Sequence, residues 1–361
     1  MNHSIPILPL LVLFFAVIPL RAQSDSSSVR DSTSSSLLPL PILFYAPENG
    51  VGLGGALLYV TRARGDNRPS TWSGQAIYTT KQQVVLELAE DVYRSNALYR
   101  INGGLHFSVY PDKFFASGRN DAGYVEDYSS TTFRGFLDAV KKITHEMNWG
   151  ITTFYEARFI TKTEPAGLLA QGAVPGSKHA LTAGAGLLWT WDSRDNMFST
   201  YTGAYHLVNI KFFGPFIGSE FSYTRLSVDL REFFELASQH ILGLQATSVL
   251  IDGTPAFHKL AELGGTNLMR GYYQGRYNDN NMLAVQAEYR FPLWRIFSGA
   301  VFGAAGEVAH TMNAFDLANV KLAYGAGLRF MFQKEERLVI RLDFGFAKGS
   351  SAMYIAADEA F

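Results

Sequence analysis

The chain has 361 residues, a formal net charge of −1, 14% aromatic residues and no cysteine. Near-neutral charge argues against nucleic-acid binding, and the missing cysteine excludes a disulfide scaffold, thiol chemistry and a lipid-anchored N-terminus. A soluble chain of this length commonly forms two domains, whereas a barrel uses it as one unit.

The first element is an uncharged apolar run from Ile5 to Leu20, IPILPLLVLFFAVIPL, followed by Arg21, Ala22 and the serine-rich stretch QSDSSSVRDSTSSS. The run is shorter than the roughly 20 residues of a spanning helix and fits the apolar region of a secretory signal. The expectation is a signal peptide over 1–22, cleaved near Ala22, with an uncleaved anchor as the alternative. Residues 23–37 then read as a disordered periplasmic tether, and residues 38–361 as the folded unit.

From Leu38 onward the dominant period is two. In Leu283 to Phe291, Gln286, Glu288 and Arg290 alternate with Leu283, Val285, Ala287, Tyr289 and Phe291. LAYGAGLRFMFQ (322–333) and the stretch from Leu338 to Ala347 repeat the alternation, so these are strands rather than helices. Sixteen such stretches are expected, starting near residues 40, 50, 70, 82, 98, 128, 146, 178, 203, 219, 240, 281, 296, 322, 337 and 352. Long connections such as TKTEPAGLLAQGAVPGS and HTMNAFDLANV fall at one end, and short ones such as RSNA, LWR and QKEE at the other. An even strand number, long loops at one end and a polar face opposite an apolar one predict an all-β fold: an antiparallel transmembrane β-barrel of about 16 strands. Lipid offers no hydrogen bonds to backbone groups, so a membrane sheet must close. A soluble sandwich or propeller is the alternative, because periodicity alone does not say which face is buried. The signal and the aromatic residues near strand ends, Trp189, Trp191, Tyr289 and Phe291, favour the membrane.

Motifs for catalysis are weak. Gly50, Gly52 and Gly55 satisfy G-x-G-x-x-G, but ALLYVT follows as strand, so these glycines fit a curved strand better than a nucleotide loop. No G-x-S-x-G elbow or H-E-x-x-H helix occurs in the sequence, and Asp192, Arg194 and Asp195 read as a charged periplasmic turn. The chain is expected not to be an enzyme and to carry no cofactor or metal.

PILFYAPENGVGLGGALLY, WDSRDNMFSTYTG, LGGTNLMRGYYQGRYND and RLDFGFAKGS are similar to stretches of the BamA/TamA superfamily of outer-membrane barrels, the bacterial surface antigen domain. Arg270, Gly271 and Tyr272 match its arginine-glycine-aromatic motif, between strands 11 and 12 where the family carries it in the sixth extracellular loop. The resemblance implies that this loop folds into the barrel, with Arg270 reaching acidic groups on strands 12 and 13. Glu288 has the required inward parity on strand 12. On strand 13 the family has F-x-D-x-G; here the stretch is FGAAG, with Ala304 at the aspartate position, which puts the strength of the anchor in doubt. The guanidinium fork could pair with a carboxylate and stack on Tyr272; a solvated Arg270 in an external loop is the alternative. Between Ala22 and Leu38 there is no room for the periplasmic POTRA modules of family members, so a stand-alone barrel is expected.

The leading functional reading is a factor for inserting or translocating proteins or lipids through a weak seam between first and last strands, with Gly50, Gly52, Gly54, Gly55 and Phe361 at that seam. Its partners would be outer-membrane lipids, unfolded client proteins and a separate periplasmic partner. The alternative is a passive pore whose lumen charges, Arg225, Asp229, Arg231, Arg329, Arg341 and Asp343, tune permeation. A surface structural protein or an unrecognised enzyme is the third reading.

Overall fold

The computed structural model of the chain describes residues 34–62, 70–95, 97–118, 123–334 and 336–361. The expected signal peptide and residues 23–33 of the tether lie outside the described residues. Eighteen strands are described, β1 (Ser34–Ala46) to β18 (Ser350–Ala356), and sixteen of them close into one antiparallel barrel. The other two, β12 (Ala261–Leu263) and β13 (Tyr277–Asp279), form a separate two-stranded sheet inside the loop between β11 (His240–Gly253) and β14 (Asn281–Trp294), and Asn278 of β13 also bridges to Gly118. β1 begins at Ser34, before the boundary expected at Leu38, and fifteen further barrel strands follow close to their expected starts.

The distribution of side chains decides between lipid and water outside the barrel. Leu57, Leu88, Leu105, Val285 and Tyr324 are at least half exposed on the outer wall, whereas Glu156, Glu288, Arg341 and Asp343 are buried. A soluble sheet would hide the first set and hydrate the second, so the outer face is built for lipid. Trp294 stacks on Phe297 with ring centroids 6.5 Å apart at the short-turn end, where an amphipathic ring suits the membrane interface.

Closure is uneven. β1 pairs with β2 (Gly50–Arg62) over its whole length, from Ser34↔Arg62 to Ala46↔Gly50. On its other side β1 meets β18 at one registered pair, Tyr45↔Ile355. Pro39 and Pro41 lie on β1 and remove two backbone donors, a substitution tolerated on an edge strand. The seam therefore lies between β1 and β18. Gly50, Gly52, Gly54 and Gly55 are not on it: all four lie on β2 and pair with Ala46, Phe44, Ile42 and Pro41 of β1. A side chain at Gly54 would come within 2.2 Å of the Ala76 carbonyl, so its role is close backbone approach rather than weak closure. Phe361 is not on the seam either, because β18 ends at Ala356 and Phe361 packs against Phe233 of β10 (Tyr223–Ala237), with centroids 6.2 Å apart.

Candidate functional site

The sixth long-end connection, residues 254–280, turns back into the barrel. Its short sheet pairs Ala261↔Asp279, Glu262↔Asn278 and Leu263↔Tyr277, which brings the tip inward as a hairpin. Leu263, Met269 and Tyr272 at the tip are buried, in a cluster with Met282, Ala284, Val308 and Ala323 of the wall. The sharp path needs glycine: Gly271 has φ +121°, and a Cβ there would stand 3.0 Å from the backbone of Phe346. The facing position is also glycine, since a Cβ on Gly345 would come within 2.5 Å of the Arg270 backbone. Two glycines back to back set how closely the tip lies on β17 (Leu338–Ala347).

Arg270 then has its guanidinium fully enclosed between two carboxylates. Nη2 lies 2.6 Å from Glu288 Oε2 on β14, and Nη1 lies 2.5 Å from Asp343 Oδ2 on β17. Its plane sits 3.5 Å from the centroid of Phe302, the aromatic partner, whereas Tyr272 packs edge-on against Tyr277. Ala304 pairs with Gln286 and Ala323 in the wall and packs against the tip's apolar cluster. Thus Ala304 supplies packing, and the second carboxylate comes from β17. A pair in open water contributes about 0.2 to 1 kcal/mol, while removing one partner of a desolvated pair costs about 3 to 5. With no exposed surface on Arg270, Glu288 or Asp343 side chains, the second regime applies.

The pair belongs to a larger network. Arg290 Nε donates to Glu288 at 2.8 Å; Arg329 Nη2 reaches the same carboxylate at 3.1 Å and also contacts Asp343; Arg341 Nη1 lies 2.9 Å from Asp343. The last residues enter here as well: Glu359 pairs with Arg329 at 3.0 Å, Asp358 with Arg341 at 3.2 Å, and Arg290 donates to the Phe361 carbonyl at 3.2 Å. Four arginines face four carboxylates, so the tail's two acids balance the wall. Neither tail acid was among the residues singled out in the sequence.

The six expected lumen charges therefore divide. Arg329, Arg341 and Asp343 are enclosed in this network and do not face an open channel. Asp229 and Arg231 pair with each other at 2.6 Å, and Arg225 donates to the Lys259 carbonyl at 2.7 Å.

The tip also touches both sides of the seam. The Tyr354 hydroxyl on β18 accepts from Gly271 N at 3.1 Å and donates to the Tyr272 carbonyl, and Ser350 Oγ donates to the Gly271 carbonyl at 2.7 Å. Across the seam, Gln274 N donates to Glu48 in the β1–β2 turn at 2.7 Å. Burial pushes the Glu48 carboxyl above its ordinary range, against the pull of the tip's Gln274 amide.

The Omp85 superfamily domain model matches residues 66–351. The chain belongs to the Omp85 superfamily. No curated protein sequence matches it. Among solved structures it resembles BamA from Haemophilus ducreyi lacking POTRA domains 1–3, at 12% identity and TM-score 0.64, covering 91% of this chain and 70% of that one. CdiB from Acinetobacter baumannii (TM-score 0.57, 91% of this chain) and CdiB from Escherichia coli (0.58, 90%) are also similar, each at 12% identity. The chain spans 60% and 62% of those two CdiB chains. At such identity the structural matches speak for fold, and the family with this fold identifies an outer-membrane β-barrel.

Proposed function

We propose that this Omp85 barrel assists insertion or translocation of proteins, or of lipids, at the outer membrane through the β1/β18 seam, without enzymatic chemistry. The observation that carries this is the seam itself: one registered pair closes a barrel whose next ladder, β1 with β2, is paired throughout. An edge with free backbone donors and acceptors can template an incoming strand. The inward sixth loop supports the same reading, because it fills lumen that a passive pore would leave open and bonds to β18 and the β1–β2 turn. Release of the loop would free both margins together. Client proteins, surrounding lipids and a separate periplasmic partner complete the proposal.

The chain's lack of cysteine makes the test clean. Tyr45→Cys with Ile355→Cys places a disulfide across the single pair. In cells depleted of the native chain, the oxidised form should fail to restore the outer-membrane protein and lipid profile, and reduction should restore it. Restoration by the locked barrel, together with ion conductance in planar bilayers, would overturn the seam route in favour of a pore.

A further inference from the structure

Away from the Arg270 network, one stretch of wall carries two facing cations with no ion-pair partner among the described residues. β9 (Gly203–Phe213) and β10 are antiparallel, with Lys211 directly opposite Arg225. Like charges facing across a ladder repel. Among the described residues, neither has a carboxylate within ion-pair distance; Arg225 donates to the Lys259 carbonyl and feels Glu262 through space, and Lys211 feels Asp138 of β6 (Val125–Lys142) through space.

Both side chains line a cavity of about 730 Å³ between this wall and the sixth loop. Three further donor side chains line it. The buried Tyr223 hydroxyl has no hydrogen-bond partner among the described residues, while its ring is held in a stack on Phe213 with centroids 4.2 Å apart. Lys259 and Arg134 reach the cavity too, but each shares the Glu156 carboxylate, at 2.8 Å, with the other and with His258. Glu262, the carboxylate on the loop side, is pushed by burial toward its neutral form. Burial also pulls the Lys259 ammonium down to about 7, against the attraction of Glu156.

We propose that this cavity binds a phosphate-class oxyanion, bridged by Lys211 and Arg225 and capped by the Tyr223 hydroxyl. The arginine fork and the lysine point charge together suit a multivalent oxyanion, and the phenol supplies a neutral third donor. A bound anion turns the facing cations from a repulsive pair into a clamp. The site is independent of the seam.

The test uses the full chain folded in detergent and phosphate-free buffer, titrated with inorganic phosphate by calorimetry, with extracted lipids analysed by mass spectrometry. Wild type should bind phosphate, and Lys211→Met and Arg225→Gln should each weaken it at least tenfold, while Arg231→Gln should not. In phosphate-free buffer Lys211→Met should melt at or above wild type, and in phosphate the order should reverse. Failure of free phosphate to bind, with a phosphate-bearing lipid copurifying on wild type and lost from both variants, would place the same oxyanion on a lipid headgroup. No phosphate on wild type from either source, or binding that survives both substitutions, overturns the site.

Discussion

Replacing Arg270 by alanine should release the sixth loop while leaving the barrel closed. The magnitude follows from what each carboxylate retains. Glu288 keeps Arg290 and Arg329, and Asp343 keeps Arg329 and Arg341, so neither is orphaned. The cost then falls near the low end of the range for breaking a desolvated pair, about 3 kcal/mol, or roughly 150-fold in the ratio of docked to undocked loop. Glu288→Gln should cost more, about 5 kcal/mol, because it leaves Arg270, Arg290 and Arg329 crowded around fewer anions. Trypsin cleavage after Arg276 in the folded, detergent-solubilised barrel reads the docked fraction, and hydrogen exchange across residues 264–278 reads the same opening without cleavage. If Arg276 stays as resistant in both variants as in wild type, the ion pair does not hold the loop, and the buried cluster around Met269 and Tyr272 does.

Gly345→Ala should undock the tip with every charge intact, since its Cβ would stand 2.5 Å from the Arg270 backbone. A cost of about 1 to 3 kcal/mol is expected for such forced strain, and unchanged Arg276 protection would refute it. The loop should also loosen in mild acid. Burial pulls the His258 imidazole from its ordinary 6.5 down to about 3, with Arg158 and Lys259 adding repulsion. The folded state therefore holds it neutral while the unfolded chain takes up a proton below 6.5. Its contribution is complete above 6.5 and is lost as pH falls toward 3, by up to about 1.4 kcal/mol per unit. Thermal melts between pH 6.5 and 5, above the titration of most carboxylates, should slope downward with acid for wild type and flatten for His258→Asn; equal slopes would refute the assignment.

Most of the barrel is legible because period-two alternation is a local property. Each strand declares its two faces without reference to its neighbours, and loop lengths then sort the two ends. The start of β1 is not marked by the period because Ser34–Leu38 has no alternation, yet Pro39 and Pro41 mark the strand as an edge. Glu288 could be named from parity alone, one strand after the loop. Asp343 has the same parity but lies on β17, and whether a loop reaches that far depends on its path, set by glycines facing each other at 271 and 345. In the sequence Asp343 therefore reads as a lumen charge and Ala304 as a loss, although the second anion stands on β17.

The tail could have been found by a count of charge in one layer of the wall. Arg270, Arg290, Arg329 and Arg341 converge there, while the strands contribute only Glu288 and Asp343. An enclosed cation without an anion costs several kcal/mol, so two more acids must come from outside the strands. Asp358 and Glu359 are those acids, and bringing them in turns the chain inward after Ala356 and carries Phe361 to Phe233 instead of the seam. The same count applied to β9 and β10 has a different outcome. Lys211 and Arg225 face each other with no carboxylate at ion-pair distance among the described residues, and the proposed oxyanion is the charge that would balance them.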